Sequence, residues 1–234
     1  MCGRYSLFVD RDDLEERFDA EFVVPYRRTY NAAPGQRHPV IANEAPDEVR
    51  ALRWGLVPSW AEEDDGGHIN ARKETAADRP SFRTAHERRR CLVPASGFFE
   101  WAETNGAKRP YHVTAADADV FAMAGLWERW EPPETQASLS RFGADDTGTD
   151  GDGDSVVLES FAILTGPPNE VVEAIHDRMP VILDPDAEAA WLDGSLEAAA
   201  LEPIGAERLR AYPVSRRVND PSNDDPSVVD PAAG

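Results

Sequence analysis

Residues 90–101 read Arg90-Cys91-Leu92-Val93-Pro94-Ala95-Ser96-Gly97-Phe98-Phe99-Glu100-Trp101, and this stretch decides the fold class. Apolar residues dominate it, which is typical of β-strands, and Pro94 and Gly97 interrupt it. Five further runs have strand character, at residues 38–43, 49–56, 110–114, 119–127 and 160–165. The first two of these runs predict a hairpin.

Helices are predicted at the margins of this strand-rich sequence. They cover residues 10–20 with Asp10 as a cap, residues 81–88, and a segment that begins with proline at residue 167. The sum is a single α+β domain, with a mainly antiparallel, twisted, barrel-like sheet core and peripheral helices.

Two segments lack a periodic apolar pattern. Residues 131–157 are acidic and rich in Pro, Gly, Ser and Thr, so we expect a disordered insertion there. Residues 214–234 form an acidic Pro/Asp/Ser-containing end, for which we expect a disordered tail. The domain is therefore predicted to span residues 1–213.

The composition limits the function classes. The net charge is −20, from 24 basic and 44 acidic residues, and Lys73 and Lys108 are the two lysines. Such a composition is typical of proteins adapted to molar salt, hence a halophilic protein. Residues 68–112 nevertheless hold nine basic and five acidic residues, so a local basic surface can persist. A solvated, charge-balanced helix face explains the same pattern equally well.

Neither a long apolar run nor a signal-like N-terminus is present, so we expect a cytoplasmic monomer without a membrane segment. Two cysteines without metal-ligand spacing predict neither a metal site nor a disulfide framework, and we expect no cofactor. Cys91 lies in a strand pattern and is predicted to be buried and inert.

Chemistry can reside in four scattered residues, Cys2, Asn70, Glu100 and His176. Removal of Met1 would give Cys2 a free α-amine beside its thiol, and such an aminothiol condenses with an aldehyde to a thiazolidine ring. Each residue also has a purely structural interpretation. Cys2 can be a small residue at a chain terminus and Asn70 a helix cap. Glu100 can be an ordinary strand carboxylate, and His176 a histidine that stabilises a helix end. Strand alternation directs Glu100 away from Phe99 and Trp101.

Six sequence blocks, taken in order, resemble the SOS response-associated peptidase (SRAP) family, whose members shield abasic sites in single-stranded DNA. The blocks are Met1-Cys2-Gly3-Arg4-Tyr5, Tyr30-Asn31-Ala32-Ala33-Pro34, Trp54-Gly55-Leu56-Val57-Pro58-Ser59-Trp60, Asn70-Ala71-Arg72-Lys73-Glu74-Thr75, Cys91-Leu92-Val93-Pro94-Ala95-Ser96-Gly97-Phe98-Phe99-Glu100-Trp101 and Ile175-His176-Asp177-Arg178-Met179-Pro180. Lys73 and Gly35 depart from the small or polar residues that are frequent in the family.

The resemblance implies roles for the four residues. Cys2 forms a thiazolidine with the ring-opened sugar of an abasic site, and Asn70 positions the amine and backbone of Cys2. Glu100 moves protons during Schiff-base formation, and His176 assists sugar-ring opening and reversal of the crosslink. A carboxylate and an imidazole suit such proton transfers.

The resemblance also implies a set of DNA contacts. Arginines at three positions are expected to meet phosphates, and an apolar or aromatic side chain at three others is expected to wedge or stack beside the lesion. These residues are Arg4, Arg72 and Arg178, and Pro34, Trp60 and Trp101. Because phosphate contacts weaken with salt, we expect covalent capture and stacking to dominate in molar salt.

Two other functions fit the same residues. A thiol peptidase would use Cys2 as nucleophile and His176 as base. A non-catalytic single-strand DNA-binding module would use Trp60, Trp101 and the arginines, and would bind intact and abasic strands equally. The partner predicted here is single-stranded DNA that contains abasic sites; its replication or repair partners are not indicated by the sequence.

Overall fold

The computed structural model describes residues 2–104, 106–133 and 157–232. Its strands are β1 (Tyr5–Leu7), β2 (Glu21–Phe22), β3 (Thr29–Ala32), β4 (Arg37–Ala42), β5 (Glu48–Trp54), β6 (Asn70–Arg72), β7 (Arg90–Ala95), β8 (Gly97–Thr104), β9 (Ala107–Ala115), β10 (Phe121–Trp130), β11 (Leu158–Gly166), β12 (Met179–Pro180), β13 (Ile182–Leu183) and β14 (Leu209–Pro213). The helices are α1 (Arg11–Phe18), α2 (Arg83–Arg88), α3 (Glu170–Glu173) and α4 (Pro185–Leu192).

Five strands close into a ring. Antiparallel pairing joins β11 to β10, β10 to β7, β7 to β4 and β4 to β5, and a parallel pairing of β5 with β11 completes the circle. The closing pair matches Trp54 with Phe161, and both aromatic side chains are fully buried. The predicted barrel-like, mainly antiparallel α+β fold is therefore confirmed.

A second sheet, with the strand order β14-β9-β8-β1-β3, lies beside the barrel. The chain passes from one sheet to the other within the stretch that was quoted first, because β7 belongs to the barrel and β8 to the second sheet. At Gly97, where β8 begins, a Cβ atom would come within 2.4 Å of the His112 imidazole and 2.8 Å of the Val113 carbonyl. Because glycine has no Cβ atom, it fits at this position between the two sheets.

The interruption at Pro94 also has a structural explanation. β4 pairs with β7 only through Cys91 and Leu92, so pairing on that side ends before the proline is reached. A residue without an N–H group can therefore occupy this strand next to the end of a ladder. Cys91 itself is fully buried, as predicted, and burial raises the pKa of its thiol.

The helices differ in detail from those predicted. Asp10 stands before α1, but its side chain makes an ion pair with Arg28 and no capping hydrogen bond. The helix predicted to start with Pro167 starts at Glu170 instead, because the Asn169 side chain accepts a hydrogen bond from the Val172 amide at 3.1 Å. No helix in the described ranges is long and apolar enough to cross a membrane.

The prediction of a disordered tail from residue 214 is wrong for residues 214–232. Val218 and Val228 are fully buried in a small core with Phe99 and Val214. Asp224 Oδ1 accepts hydrogen bonds from the backbone of Tyr30 and Asn31 and from the hydroxyl of Thr29. These contacts offset the weak local folding tendency of the segment, which local composition cannot reveal. We call residues 214–232 the C-terminal segment.

The insertion predicted at residues 131–157 lies almost wholly outside the described residues. Its two ends are adjacent, because Trp130 on β10 pairs with Leu158 on β11. The described part thus forms one folded unit that extends past the predicted boundary at residue 213.

Candidate functional site

Strand register brings the start of the chain to Glu100. Tyr5 pairs with Phe98 and Ser6 with Gly97, and the Phe99 amide donates to the Arg4 carbonyl at 3.0 Å. The same antiparallel register, continued towards the chain start, sets Gly3 opposite Glu100. Phe99 and Trp101 pack with the C-terminal segment on the other face of β8, as the alternation of strand side chains predicts.

Asn70 connects a different strand to the same point. It begins β6, which runs parallel to β11 with Asn70 opposite Ile163. The Asn70 amide Nδ2 donates to the Cys2 carbonyl at 2.8 Å. The backbone of Cys2 is therefore held by a side chain about seventy residues away in sequence, and a capping role for Asn70 does not apply.

Glu100 and His176 lie next to each other beside Cys2. His176 Nε2 lies 4.0 Å from Glu100 Oε2, and the carboxylate is almost fully buried whereas the imidazole is about 29% exposed. The Arg178 amide donates to His176 Nδ1 at 3.0 Å. His176 Nδ1 also lies 3.0 Å from the Asp177 carboxylate, and Nε2 is the ring nitrogen that faces Glu100.

Burial controls the protonation of Cys2 and Glu100. Removal from water raises the pKa of the fully buried Cys2 thiol well above its usual range, and the charge of Glu100 raises it further. Burial also raises the pKa of Glu100, although the nearby His176 opposes that rise. The site therefore favours a protonated thiol and a carboxyl group that is protonated more readily than that of an exposed glutamate.

Two of the predicted DNA-binding arginines flank one residue of β11. Arg72 pairs with Thr165 across β6 and β11, and the Arg178 guanidinium donates to the Thr165 carbonyl at 2.5 Å. Arg178 also makes a bidentate ion pair with Glu74, at 2.7 and 2.9 Å. The Arg72 side chain is exposed, and among the described residues it has neither an ion-pair nor a hydrogen-bond partner.

Arg4 and Trp101 are both held by the C-terminal segment. Arg4 Nη1 donates to the Val218 carbonyl at 2.7 Å and to Asn31 Oδ1 at 3.1 Å. The Trp101 indole N–H donates to Asn219 Oδ1 at 2.8 Å. The segment predicted to be disordered thus fixes two side chains that were predicted to meet DNA.

Pro34 and Trp60 are exposed, and the Trp60 side chain retains 63% of its accessible surface. The Trp60 indole donates to the Pro80 carbonyl at 3.3 Å. The structure thus brings Cys2, Asn70, Glu100 and His176 together. Pro34 lies in the turn between β3 and β4, and Trp60 follows β5 and contacts Pro80, so these two residues belong to other parts of the described chain.

Sequence reasoning gave no role to Glu74 or Asn31, which orient Arg178 and Arg4. Both residues lie inside sequence blocks that carry the family resemblance, and this position is the signal that could have identified them. Within the described ranges no cluster of His, Cys, Asp and Glu side chains has the arrangement of a metal site.

The sequence model of the SOS response associated peptidase (SRAP) family matches residues 1–221. The chain belongs to the SRAP family. The abasic site processing protein YoqW of Bacillus subtilis is 36% identical to this SRAP chain, over 98% of the chain and 99% of YoqW. The abasic site processing protein HMCES of Gallus gallus is 32% identical, over 99% of the chain and 78% of HMCES.

A crystal structure of a Bacteroides thetaiotaomicron protein has the same fold as this SRAP chain. The TM-score is 0.81 at 28% sequence identity, and the match covers 99% of this chain and 100% of the other. The fold and the family are therefore supported along nearly the whole chain, including part of the C-terminal segment.

Proposed function

We propose that this protein recognises abasic sites in single-stranded DNA and captures them covalently through Cys2. The convergence of Cys2, Asn70 and the Glu100–His176 pair carries the proposal. The names of the relatives, abasic site processing proteins, support the same substrate.

The chemistry begins once Met1 has been removed and Cys2 has a free amine. The amine adds to the aldehyde carbon of the ring-opened sugar, and the resulting carbinolamine loses one water to give an imine. The Cys2 sulfur then adds to the imine carbon, while the thiol proton passes to the nitrogen and closes the thiazolidine. One C–N and one C–S bond form, and the net by-product is one water.

The protonation state of the site fits this order of steps. A thiol with a raised pKa is a poor first nucleophile, so the amine attacks first. Glu100, whose pKa burial raises, can donate the proton that the departing water needs and can accept one from the attacking nitrogen. We assign to His176 Nε2 the proton exchange with Glu100 and with the sugar oxygen during ring opening.

The DNA contacts are assigned by exposure. The exposed Arg72, which has no ion-pair partner among the described residues, is the proposed primary phosphate contact. Pro34 and Trp60 are the proposed exposed wedge and stacking surfaces. The remaining three, Arg4, Arg178 and Trp101, are proposed to act as pre-oriented contacts, because other groups of the chain already hold them. Pre-orientation lowers the entropy cost of binding.

A thiol peptidase is the weaker candidate. Peptide hydrolysis by cysteine requires a thiolate, which a nearby cation or histidine stabilises. Here burial and Glu100 raise the pKa of the Cys2 thiol, and His176 lies against two carboxylates, those of Glu100 and Asp177. Proteolysis through Cys2 would have to work against both features.

Denaturing electrophoresis tests the proposal. Untagged protein is mixed with an abasic single-stranded oligonucleotide, heated in detergent without a reductant, and analysed for a slowly migrating adduct. We expect an adduct whose intact mass equals protein without Met1 plus DNA minus one water. Cys2→Ala or an N-terminal tag should abolish it. Release of unmodified oligonucleotide by the wild type, or an equal adduct from Cys2→Ala, would refute covalent capture through Cys2.

A further inference from the structure

A buried histidine of the second sheet takes no part in the proposed chemistry. His112 on β9 is fully buried, and its ring makes two polar contacts inside the fold. Nε2 lies 2.9 Å from the Ser6 hydroxyl oxygen, and Nδ1 lies 2.9 Å from the Tyr212 hydroxyl oxygen. Because burial of polar groups is unfavourable unless they are hydrogen-bonded, packing alone would favour an apolar residue at this position.

The two contacts of the imidazole connect strands that are not neighbours. The order of the second sheet is β14-β9-β8-β1-β3, so β8 separates His112 on β9 from Ser6 on β1. The register sets Tyr212 opposite His112 and Gly97 opposite Ser6. A Cβ atom on Gly97 would come within 2.4 Å of His112 Nε2. The imidazole therefore reaches Ser6 by crossing β8 at Gly97, where the absence of a side chain leaves room for the ring.

The hydrogen-bond donors of this chain all point in one direction. Ser6 has one hydroxyl proton and donates it to the Gly97 carbonyl at 3.3 Å, so the Ser6 oxygen accepts from His112 Nε2–H. Burial lowers the pKa of His112 to about 3, so the ring is neutral near pH 7 and has a single N–H group. His112 Nδ1 is therefore an acceptor, and the Tyr212 hydroxyl donates to it. Every polar group of the chain is thus satisfied, as a buried network requires.

The strand that leads to Cys2 is short. β1 has three residues, and it pairs with β8 through Tyr5–Phe98 and Ser6–Gly97. On its other side, the pairing with β3 shifts register between Tyr5 and Leu7. A backbone ladder of this length specifies the register weakly. A slip in either direction would put a residue other than serine against the imidazole, and the Nε2–H group would lose its acceptor.

We propose that Ser6 and His112 are positioning residues for the capture reaction, because their hydrogen bond fixes the register of β1 and with it the position of Cys2. The inference rests on the proposed function and adds two residues to it. Neighbouring residues of a strand are about 3.3 Å apart, so a slip of one residue would move Cys2 by about that distance. A displacement of about 1 Å can cost about 100-fold in rate. A bond four residues along the chain from Cys2 thus determines how well its amine meets the carboxyl group of Glu100.

Capture kinetics test the proposal. Ser6→Ala deletes the acceptor of His112 Nε2–H, and its single-turnover rate of adduct formation should fall by about 10-fold or more. Tyr212→Phe, which frees the ring to exchange tautomers, should slow capture by a smaller factor. Thr114→Val is the matched control, because Thr114 Oγ1 accepts from Arg210 Nε at 3.1 Å and this bond joins β9 to β14 and not to β1. Its capture rate should equal that of the wild type. Urea unfolding of each preparation confirms that the variant is folded.

Nitrogen NMR of the full chain with isotope-labelled histidine tests the hydrogen bonds without DNA. His112 should have a protonated Nε2 and an unprotonated Nδ1 at neutral pH, and Tyr212→Phe should weaken this preference for one tautomer. The proposal would be overturned by an Nδ1–H tautomer in the wild type, by wild-type capture in both Ser6→Ala and Tyr212→Phe, or by equal slowing in Thr114→Val. A wild type that forms no adduct would instead refute the proposed function itself, and the positioning role with it.

Discussion

Replacement of Asn70 by alanine should slow capture without unfolding the protein. The substitution deletes one hydrogen bond, from Asn70 Nδ2 to the Cys2 carbonyl at 2.8 Å. A bond of this kind contributes about 0.5–1.5 kcal/mol to stability. A domain of ordinary stability, at least about 5 kcal/mol, would remain more than about 99% folded after that loss. A decrease in rate would therefore report the position of Cys2 and not the folded fraction.

The expected kinetic effect is larger than the thermodynamic one. A displacement of about 1 Å between reacting groups can cost about 100-fold in rate. We therefore expect Asn70→Ala to reduce the single-turnover rate of adduct formation by about 10- to 100-fold. The measurement is a time course of heat-stable adduct on a denaturing gel, with protein in excess over abasic oligonucleotide and with urea unfolding on the same preparation.

Asn43→Ala is the matched control. Asn43 Nδ2 donates to the Arg88 carbonyl at 3.0 Å, and its Oδ1 accepts from the Trp127 indole at 3.1 Å. This variant also loses amide hydrogen bonds, but on the barrel and without contact to Cys2. Its capture rate should equal that of the wild type. If Asn70→Ala captures at the wild-type rate, or if both variants slow equally, Asn70 does not position Cys2.

Three more predictions concern stability. Asp224→Ala removes the acceptor of three hydrogen bonds from residues 29–31 and of a fourth from Arg27, and should lower the free energy of unfolding by about 2–4 kcal/mol. An unchanged urea midpoint would show that the C-terminal segment is not anchored there. Residues 131–157, 27 in number, lie between the paired strand ends of β10 and β11. If they are as disordered as their composition predicts, replacing them by a turn of about four residues should raise the free energy of unfolding by about 1.7 kcal/mol. An unchanged free energy of unfolding would contradict the prediction of disorder. Burial raises the pKa of Glu100, so the folded chain is free of the ionisation cost below the usual glutamate pKa of about 4.3 and bears it increasingly as pH rises through the raised value. Glu100→Gln should therefore gain stability relative to wild type as pH rises above about 4.3 in urea unfolding. A difference that does not change with pH would refute the shift.

The sequence predicts the strands more readily than their assembly. Apolar runs mark the strands because alternation and burial are local properties. Closure of the barrel depends on Trp54 and Phe161, which are more than a hundred residues apart, and no local pattern encodes that parallel pair. The C-terminal segment was mispredicted for a related reason, since its order comes from contacts with distant strands and not from its own composition.

The residues of the candidate site could be predicted from the sequence, but their contacts could not. Residue types and block order single out Cys2, Asn70, Glu100 and His176, and strand alternation gives the direction of Glu100. The partner of each side chain is a matter of tertiary packing, so the engagement of Arg178 by Glu74 was not foreseen. Nor could exposure be predicted from residue type: Arg72 is uncovered, whereas Arg4 is held by the Val218 carbonyl.

The hydrogen bond between Arg4 and Val218 has a consequence for synthesis on the ribosome. Arg4 is synthesised 214 residues before Val218, so it acquires this acceptor only late in translation. Cys2 and its neighbours therefore leave the ribosome long before they are fixed in place. A transcript that stops before codon 218 would yield a protein whose Arg4 lacks this acceptor.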